Sequence, residues 1–87
     1  MEIEFDTHKA ANNLKKHGIH FGEAASCLYD PFALVHEDAD AEGENRWVLL
    51  GMSDQARLLV VVYTVRGESI RIISARKHTT KEVLSYA

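Results

Sequence analysis

The chain has 87 residues, of which 46% are apolar and 26% are charged. This length suits one domain, and the composition is that of a folded globular protein, not of a disordered or membrane-embedded one. A single cysteine, Cys27, excludes an intramolecular disulfide. The first residues lack the basic and apolar regions of a secretory signal, and the longest apolar run, residues 58–63, is too short to span a membrane. We therefore expect one cytoplasmic domain over residues 1–87, without membrane association.

Charge is divided unevenly along the chain. Residues 1–50 hold four Lys/Arg and ten Asp/Glu, a net charge of −6, whereas residues 51–87 hold six and three, a net charge of +3. The total of −3 gives no general attraction to nucleic acid. The basic second part either binds an anionic partner or neutralises the acidic first part.

The start of the chain predicts a strand and a helix. Apolar and acidic residues alternate over residues 1–5, which predicts a short edge strand. Residues 7–17 predict a helix, with Asp6 or Thr7 as its N-cap and Gly18 at its C-terminal end.

The faces of the predicted helices follow from their periodicity. In the first helix the apolar stripe consists of Ala10, Ala11 and Leu14, and Asn13 lies elsewhere. A second helix is predicted over residues 21–28, where apolar residues recur at helical spacing until Asp30 and Pro31 end the pattern.

Beyond Pro31 the hydrophobic period changes towards two. Apolar runs rich in β-branched residues predict strands over residues 32–36, 46–52, 58–64 and 69–75. Residues 37–44, with five carboxylates, predict a solvated loop, and residues 79–86 predict a final helix capped by Thr79 or Thr80. The pattern predicts an α+β fold in which helices cover one face of an antiparallel sheet. The other face is left to solvent or to a ligand.

Several catalytic motifs are absent from the sequence. It has no glycine-rich phosphate loop, no G-x-S-x-G, no C-x-x-C and no H-E-x-x-H. Its five histidines include no pair spaced i, i+4, so no two imidazoles are predicted to share a helix face in that way. We expect neither a metal site nor a cofactor.

The last predicted strand carries the first candidate for a phosphate site. Alternation places Arg71, Ile73 and Ala75 on one face of this strand and Ser74 on the other. Guanidinium groups such as that of Arg71 can bind two phosphate oxygens at once.

Three further basic residues follow directly. If the strand ends near Ala75, then Arg76, Lys77 and His78 cluster at its end, just before the final helix. Such a cluster offers phosphate-binding groups and an imidazole for proton transfer. The alternative is a solvated strand end whose cations neutralise the acidic loop.

Glu44 and Arg46 have two explanations, and His17 has a structural one. Glu44 and Arg46, two apart, point the same way from a strand, and either pair with each other or line a site together. His17 follows Lys15 and Lys16 at a helix C-terminus, where cations are favoured by roughly 0.3–1 kcal/mol.

The aromatic residues and the thiol favour structural roles. Tyr63, Tyr86 and Trp47 are typical of packing at a sheet or at its rim. Cys27, inside the apolar second helix, is typical of a small buried hydrophobic residue.

Residues spread over nearly the whole chain form a recognisable pattern. In order they are Phe5-Asp6, Lys9, Asn13, Lys16-His17-Gly18, Phe21, Ala24-Ala25, Asp30-Pro31, Glu44-x-Arg46, Gly51, Arg71-Ile72-Ile73-Ser74-Ala75-Arg76, Glu82 and Tyr86. This pattern resembles the BrnT family of type II toxins. The resemblance implies a RelE-like fold, an antiparallel β-sheet with two N-terminal helices and a C-terminal helix.

The resemblance also implies a function and partners. It implies a ribonuclease toxin that inhibits translation by cleaving RNA and that is neutralised by a DNA-binding BrnA-type antitoxin. Contact with DNA would then be indirect. A homodimer, or a heterotetramer with the antitoxin, fits such a system.

The chemistry of such a toxin defines the candidate residues. Metal-independent RNA cleavage needs a base, an acid and positive charge, because the 2′-hydroxyl attacks the adjacent phosphorus and charge develops on a phosphorane. On this interpretation the catalytic residues are Arg71, Arg76, His78 and Tyr86. The RNA-binding residues are Arg46, Lys77, Tyr63, His17 and Glu44.

Two other functions stay open. One is a catalytically weak or inactive member that acts as a protein-binding module in operon autoregulation. The other is a small structural domain whose charged halves neutralise each other. Convergence of Arg71, Arg76 and His78 on one patch would favour the enzyme, whereas arginines paired with carboxylates would favour the alternatives.

Overall fold

The computed structural model describes residues 1–39 and 43–86. In chain order its elements are β1 (Glu2–Phe5), α1 (Thr7–His17), α2 (Phe21–Cys27), β2 (Leu34–Glu37), β3 (Trp47–Met52), β4 (Leu58–Arg66), β5 (Ser69–Lys77) and α3 (Thr80–Ser85). Every predicted element is present, with its ends shifted by at most a few residues. The middle of the predicted acidic loop, residues 40–42, lies outside the described residues. Within the described part, no helix has the length and apolar character needed to cross a membrane.

The described strands form one five-stranded sheet in the order β1-β5-β4-β3-β2. β2 to β5 pair with their neighbours in sequence as an antiparallel meander. β1 instead runs parallel to β5 and lies at the edge, as the sequence predicted. The predicted α+β fold is confirmed, with a sheet that is mostly antiparallel.

α1 and α2 cover one face of this sheet and enclose the core. The buried core residues are Ile19, Phe21, Ala24, Cys27, Leu49, Leu59, Val61, Ile72 and Ala75. Asp6 caps α1 by accepting hydrogen bonds from amides of its first turn, and Gly18 ends the helix with a φ of 71°. Gly18 was predicted as the end of the helix, and Asp6 was one of its two predicted caps. At Gly51 a Cβ would lie 3.1 Å from the Cys27 carbonyl oxygen, so glycine lets β3 approach α2 closely.

The predicted apolar stripe of α1 was right for Ala10, which packs against the core, and wrong for Ala11 and Leu14. Asn13 is only 6% exposed, whereas Leu14 is 37% exposed and Ala11 is also exposed. The Asn13 amide donates to the Ala75 carbonyl oxygen at 2.9 Å and accepts from the Ala75 N–H at 3.0 Å. It also donates to the carbonyl oxygen of Ile19 at 3.1 Å. A side chain thus supplies the hydrogen bonds that a neighbouring strand would give to the edge of β5, which is why a polar residue is buried here.

A buried ion pair joins α2 to the turn between β3 and β4. Glu23 is 4% exposed, and its carboxylate accepts hydrogen bonds from the Nε of Arg57 at 2.8 Å and from the hydroxyl of Ser53 at 2.7 Å. The paired guanidinium of Arg57 holds the pKa of Glu23 below its usual value. This network fixes the hairpin on the helix and was not foreseen in the sequence.

A β-bulge in β5 changes which residues share a face. The ladder between β4 and β5 shifts at Val62/Tyr63 and leaves Ile73 as an extra residue without a partner. Arg71 and Ser74 consequently lie on the same face, and Ala75 points to the opposite face, into the core. The prediction that grouped Arg71 with Ile73 and Ala75, and separated it from Ser74, was wrong because strict alternation cannot include the extra residue.

α3 lies against the sheet face opposite to α1 and α2. Arg76 points away from the buried Ala75, and Glu82 of α3 binds its guanidinium at 2.9 Å. Between α3 and the strands is a cleft of about 200 Å³, lined by Leu34, His36, Val48, Leu50, Val60, Glu82 and Ser85. The prediction that the helices share one face was wrong, because the outward-pointing Arg76 draws α3 to the other side.

Candidate functional site

The face opposite to α1 and α2, here called the open face, carries rows of side chains set by strand register. Glu4, Arg71 and Thr64 pair across β1, β5 and β4 and form what is here called the first row. Arg46 continues this row, because it directly precedes β3 and the β3–β4 register places it opposite Thr64. Arg46 and Arg71 therefore flank Thr64, about 10 Å apart at the backbone across two strand spacings.

Two further rows of the open face lie towards α3. The next row is Ser74, Val62, Val48 and His36, and the one after it is Arg76, Val60, Leu50 and Leu34. His36 is thus on the same face as Arg46 and one row away. It was not among the predicted site residues, although alternation with Leu34 in the predicted strand over residues 32–36 was a usable signal.

The two arginines of the first row are lightly engaged. Arg71 Nη1 lies 3.3 Å from Glu4 Oε1, in a partly exposed pair of a kind that contributes little to stability. The Arg46 guanidinium makes no hydrogen bond or ion pair with any residue of 1–39 or 43–86. The charge of Glu44 also acts on both arginines, so an anionic ligand would compete with Glu4 and Glu44 for them.

Arg76 is engaged by α3. Its Nη1 and Nη2 atoms each lie 2.9 Å from an oxygen of Glu82. This bidentate pair, helped by the amide of Thr79, lowers the pKa of Glu82 to about 2. The pair occupies the guanidinium fork that a phosphate would need, so Arg76 holds α3 in place in this conformation.

The predicted cluster of Arg76, Lys77 and His78 is divided by alternation. Lys77 pairs with Leu59, a core residue, and so points to the α1/α2 side of the sheet. His78 Nδ1 lies 3.0 Å from the Leu58 carbonyl oxygen. Because a carbonyl only accepts, we assign the proton to Nδ1, which leaves Nε2 of the neutral ring as a proton acceptor.

Tyr86 anchors the chain just after α3. Its hydroxyl donates to Asp30 Oδ2, which also accepts from the Met52 N–H at 2.8 Å. The hydrogen bond to the Asp30 carboxylate raises the pKa of Tyr86, which therefore holds its proton more firmly. This contact gives Tyr86 a structural role beside the predicted catalytic one.

Three predicted RNA-binding residues lie outside the first row. Tyr63 alternates with Thr64, so it is on the α1/α2 side, where burial raises its pKa. His17 lines a cleft between α1 and β5. Glu44 is bound to Arg66 at 3.0 Å, and this hydrogen-bonded partner lowers its pKa.

The structure does not bring Arg71 together with Arg76 and His78. The β4 partners of the two arginines, Thr64 and Val60, are four residues apart, which corresponds to about 13 Å along the strand. Arg76 and His78 are at the α3 end of the open face, and Arg71 is at the other end. The expected single cluster is replaced by two separate basic regions.

The groups of the open face suit an anion better than a metal ion. Its donors are guanidinium and imidazole groups, and the nearby carboxylates of Glu4, Glu44 and Glu82 each face an arginine. Among the described residues, no three or more His, Cys, Asp or Glu side chains are grouped to hold a metal. The arrangement can bind phosphates and exchange protons.

Comparison with known proteins decides the family. A family model described as "Ribonuclease toxin, BrnT, of type II toxin-antitoxin system" matches residues 5–82. The chain belongs to the BrnT family. It is also similar to the crystal structure of the Brucella abortus ribonuclease toxin BrnT, with a TM-score of 0.70 and 24% identity over 92% of this chain and 99% of that one. No curated protein matches the chain.

Membership of the BrnT family confirms the resemblance seen in the sequence. The chain is a BrnT-family ribonuclease toxin of a type II toxin–antitoxin system, and such a system includes an antitoxin protein as partner. The similarity to the Brucella BrnT structure shows the same fold.

Proposed function

We propose that this BrnT-family chain cleaves RNA without a metal ion, at the row of Arg71, Thr64 and Arg46 on the open face. The observation that carries the proposal is the placement of two lightly engaged arginines on either side of one strand, with His36 one row away. Membership of the BrnT family indicates the reaction class, and the row of Arg71, Thr64 and Arg46 provides groups that suit RNA cleavage.

The proposed reaction proceeds by transfer to the 2′-oxygen. The 2′-hydroxyl loses its proton and attacks the adjacent phosphorus, the bond from phosphorus to the 5′-oxygen breaks, and that oxygen takes up a proton. The products are a 2′,3′-cyclic phosphate and a 5′-hydroxyl. Arg46 and Arg71 donate hydrogen bonds to the phosphorane oxygens, where negative charge increases in the transition state.

Proton transfer in this proposal is assigned to His36. It is the imidazole nearest in register to Arg46, whereas His78 lies at the α3 end beside Arg76. Arg76 and Tyr86 act by positioning α3, through Glu82 and Asp30.

The proposed biological consequence is inhibition of translation, relieved by the antitoxin. A type II family implies a protein antitoxin. We assign it to the DNA-binding BrnA type, so that this chain reaches DNA only through its partner.

The test is RNA cleavage by the purified chain in the presence of EDTA. We expect 2′,3′-cyclic phosphate ends, and a loss of about 10²–10³-fold in rate for Arg46→Ala combined with Arg71→Ala. His36→Ala should lose about 10²–10⁴-fold. Lys15→Ala, which removes a cation from α1, serves as the control and should keep the wild-type rate. Full activity of the double arginine variant would refute the site, and cleavage only after addition of Mg²⁺ would refute metal independence.

A second function is favoured by the ion pairs on the open face. Arg66, Arg71 and Arg76 each face a carboxylate. A chain whose arginines stay paired would act as a non-catalytic, antitoxin-binding module in operon autoregulation. It would form the antitoxin complex and cleave no RNA at any salt concentration.

A further inference from the structure

A basic cleft lies between α1 and β5, away from the first row of the open face. It has a volume of about 290 Å³ and is lined by Lys9, Asn12, Asn13, Lys16, His17, Ile73 and Ser74. Among the described residues no acidic side chain lines it, and the sequence of α1 contains none. Neither Lys9 nor Lys16 forms an ion pair with a residue of the described chain.

Local helix energetics explain only part of this charge. Lys16 and His17 lie in the last turn of α1, where cations are favoured by the helix dipole. Lys9 lies in the first turn, where the same dipole disfavours a cation. The helix dipole therefore does not account for the positive charge of Lys9, and this charge is available to a ligand.

The cleft residues form one face of α1. Lys9, Asn12 and Lys16 are spaced i, i+3, i+7, and the two lysines are about 10 Å apart along the helix axis. Lys15 projects from a different side of the helix and does not line the cleft. The two lysines therefore present two separate positive charges along one line.

Ser74 connects the cleft to the open face. It pairs with Val62 on the open face and also lines the cleft. β1 pairs with β5 only as far as Ile72, so none of the described strands covers the edge of β5 beside Ser74. A ligand on the open face can pass over this edge and reach α1.

We propose that Lys9 and Lys16 bind backbone phosphates of an RNA strand that leaves the open face across Ser74. This inference rests on the proposed ribonuclease function and extends its substrate to a single strand longer than the cleaved linkage. The lysines contribute affinity without sequence preference, because they contact phosphates and not bases.

The experiment measures binding of 2′-O-methyl RNA, which lacks the nucleophile, over a range of salt concentrations. For an RNA of about 12 nucleotides, we expect Lys9→Gln with Lys16→Gln to weaken binding roughly tenfold at low salt. The slope of log K against log salt should fall in magnitude by about 1.4, because two phosphate contacts are lost. An RNA of about four nucleotides, confined to the open face, should bind both proteins equally.

The matched control is Lys15→Gln with Lys81→Gln, which removes the same charge from exposed positions outside the cleft. Circular dichroism checks that both variants fold. If the wild-type chain cleaves RNA but the two double variants give equal salt slopes, the proposed role of the cleft is overturned and the ribonuclease proposal stands. A wild-type chain that neither binds nor cleaves RNA would overturn both.

Discussion

Thr64 shows how a single residue connects stability with the proposed site. It is fully buried between Arg71 and Arg46 in register, and among the described residues its hydroxyl oxygen has no hydrogen-bond partner. A buried hydroxyl without a partner costs about 1–3 kcal/mol. A β-branched apolar residue would fit the strand equally well, so the hydroxyl is not explained by folding.

Thr64→Val should therefore stabilise the chain by roughly 1 kcal/mol, because a methyl group of similar shape replaces the unpaired hydroxyl. Urea unfolding followed by circular dichroism measures the change. Thr64→Ser is the control, since it keeps the hydroxyl and loses the methyl group, and it should be less stable than wild type. A destabilised Thr64→Val would show that the hydroxyl has a partner in solution.

At the scale of elements, the sequence predicted what depends on neighbours along the chain. The helix over residues 7–17 follows from local spacing and is confirmed, and of its two predicted caps, Asp6 and Thr7, the structure has Asp6. The burial of Asn13 and the bulge at Ile73 depend on contacts between α1 and β5, which are distant in sequence. Local periodicity contains no signal for either.

The same distinction applies to the candidate site. The basic segment was recognisable as sequence, but the bulge at Ile73 places Arg71 and Arg76 on the same face, and the length of β5 keeps them in two separate regions of it. The position of α3 depends on the pair of Arg76 and Glu82, which nothing in the sequence indicates as partners. His36 was missed although its strand was predicted, because the register of β2 against β3 was unknown.

The attachment of α3 should depend on pH. Arg76 lowers the pKa of Glu82 to about 2 from a usual value of 4.5, so the folded chain favours the ionised carboxyl. The resulting stabilisation is complete above pH 4.5 and is lost as the pH falls towards 2. Carbon-13 NMR titration of Glu82 measures this directly.

In Arg76→Gln the pKa of Glu82 should return most of the way to its usual value, with the remainder held by the Thr79 amide. Lys81→Gln, on the same helix, should leave the titration unchanged. A wild-type Glu82 that titrates near 4.5 would show that α3 is not held by this pair.

At the scale of the whole molecule, the fold brings the acidic and basic parts of the sequence together on the open face. The acidic first part supplies Glu4 and Glu44, and the basic second part supplies their partners, Arg71 and Arg66. The two explanations offered by the sequence, neutralisation and an anion site, therefore apply to the same residues. In the proposed function, RNA competes with the chain's own carboxylates for Arg71, and the acidic character of the chain limits its affinity for RNA.

Removal of one competing carboxylate should strengthen RNA binding more than the change in net charge alone. Glu4→Gln and Glu68→Gln both alter the net charge by one, but Glu4 faces Arg71, whereas Glu68 is exposed in the β4–β5 turn and has no ion pair with any described residue. We expect Glu4→Gln to tighten binding of 2′-O-methyl RNA by up to about fivefold at low salt, since exposed pairs are weak. Glu68→Gln should have a smaller effect, and the difference should shrink as salt screens the charges. Fluorescence anisotropy measures both affinities, and equal effects would mean that net charge, and not the release of Arg71, controls access of RNA to the open face.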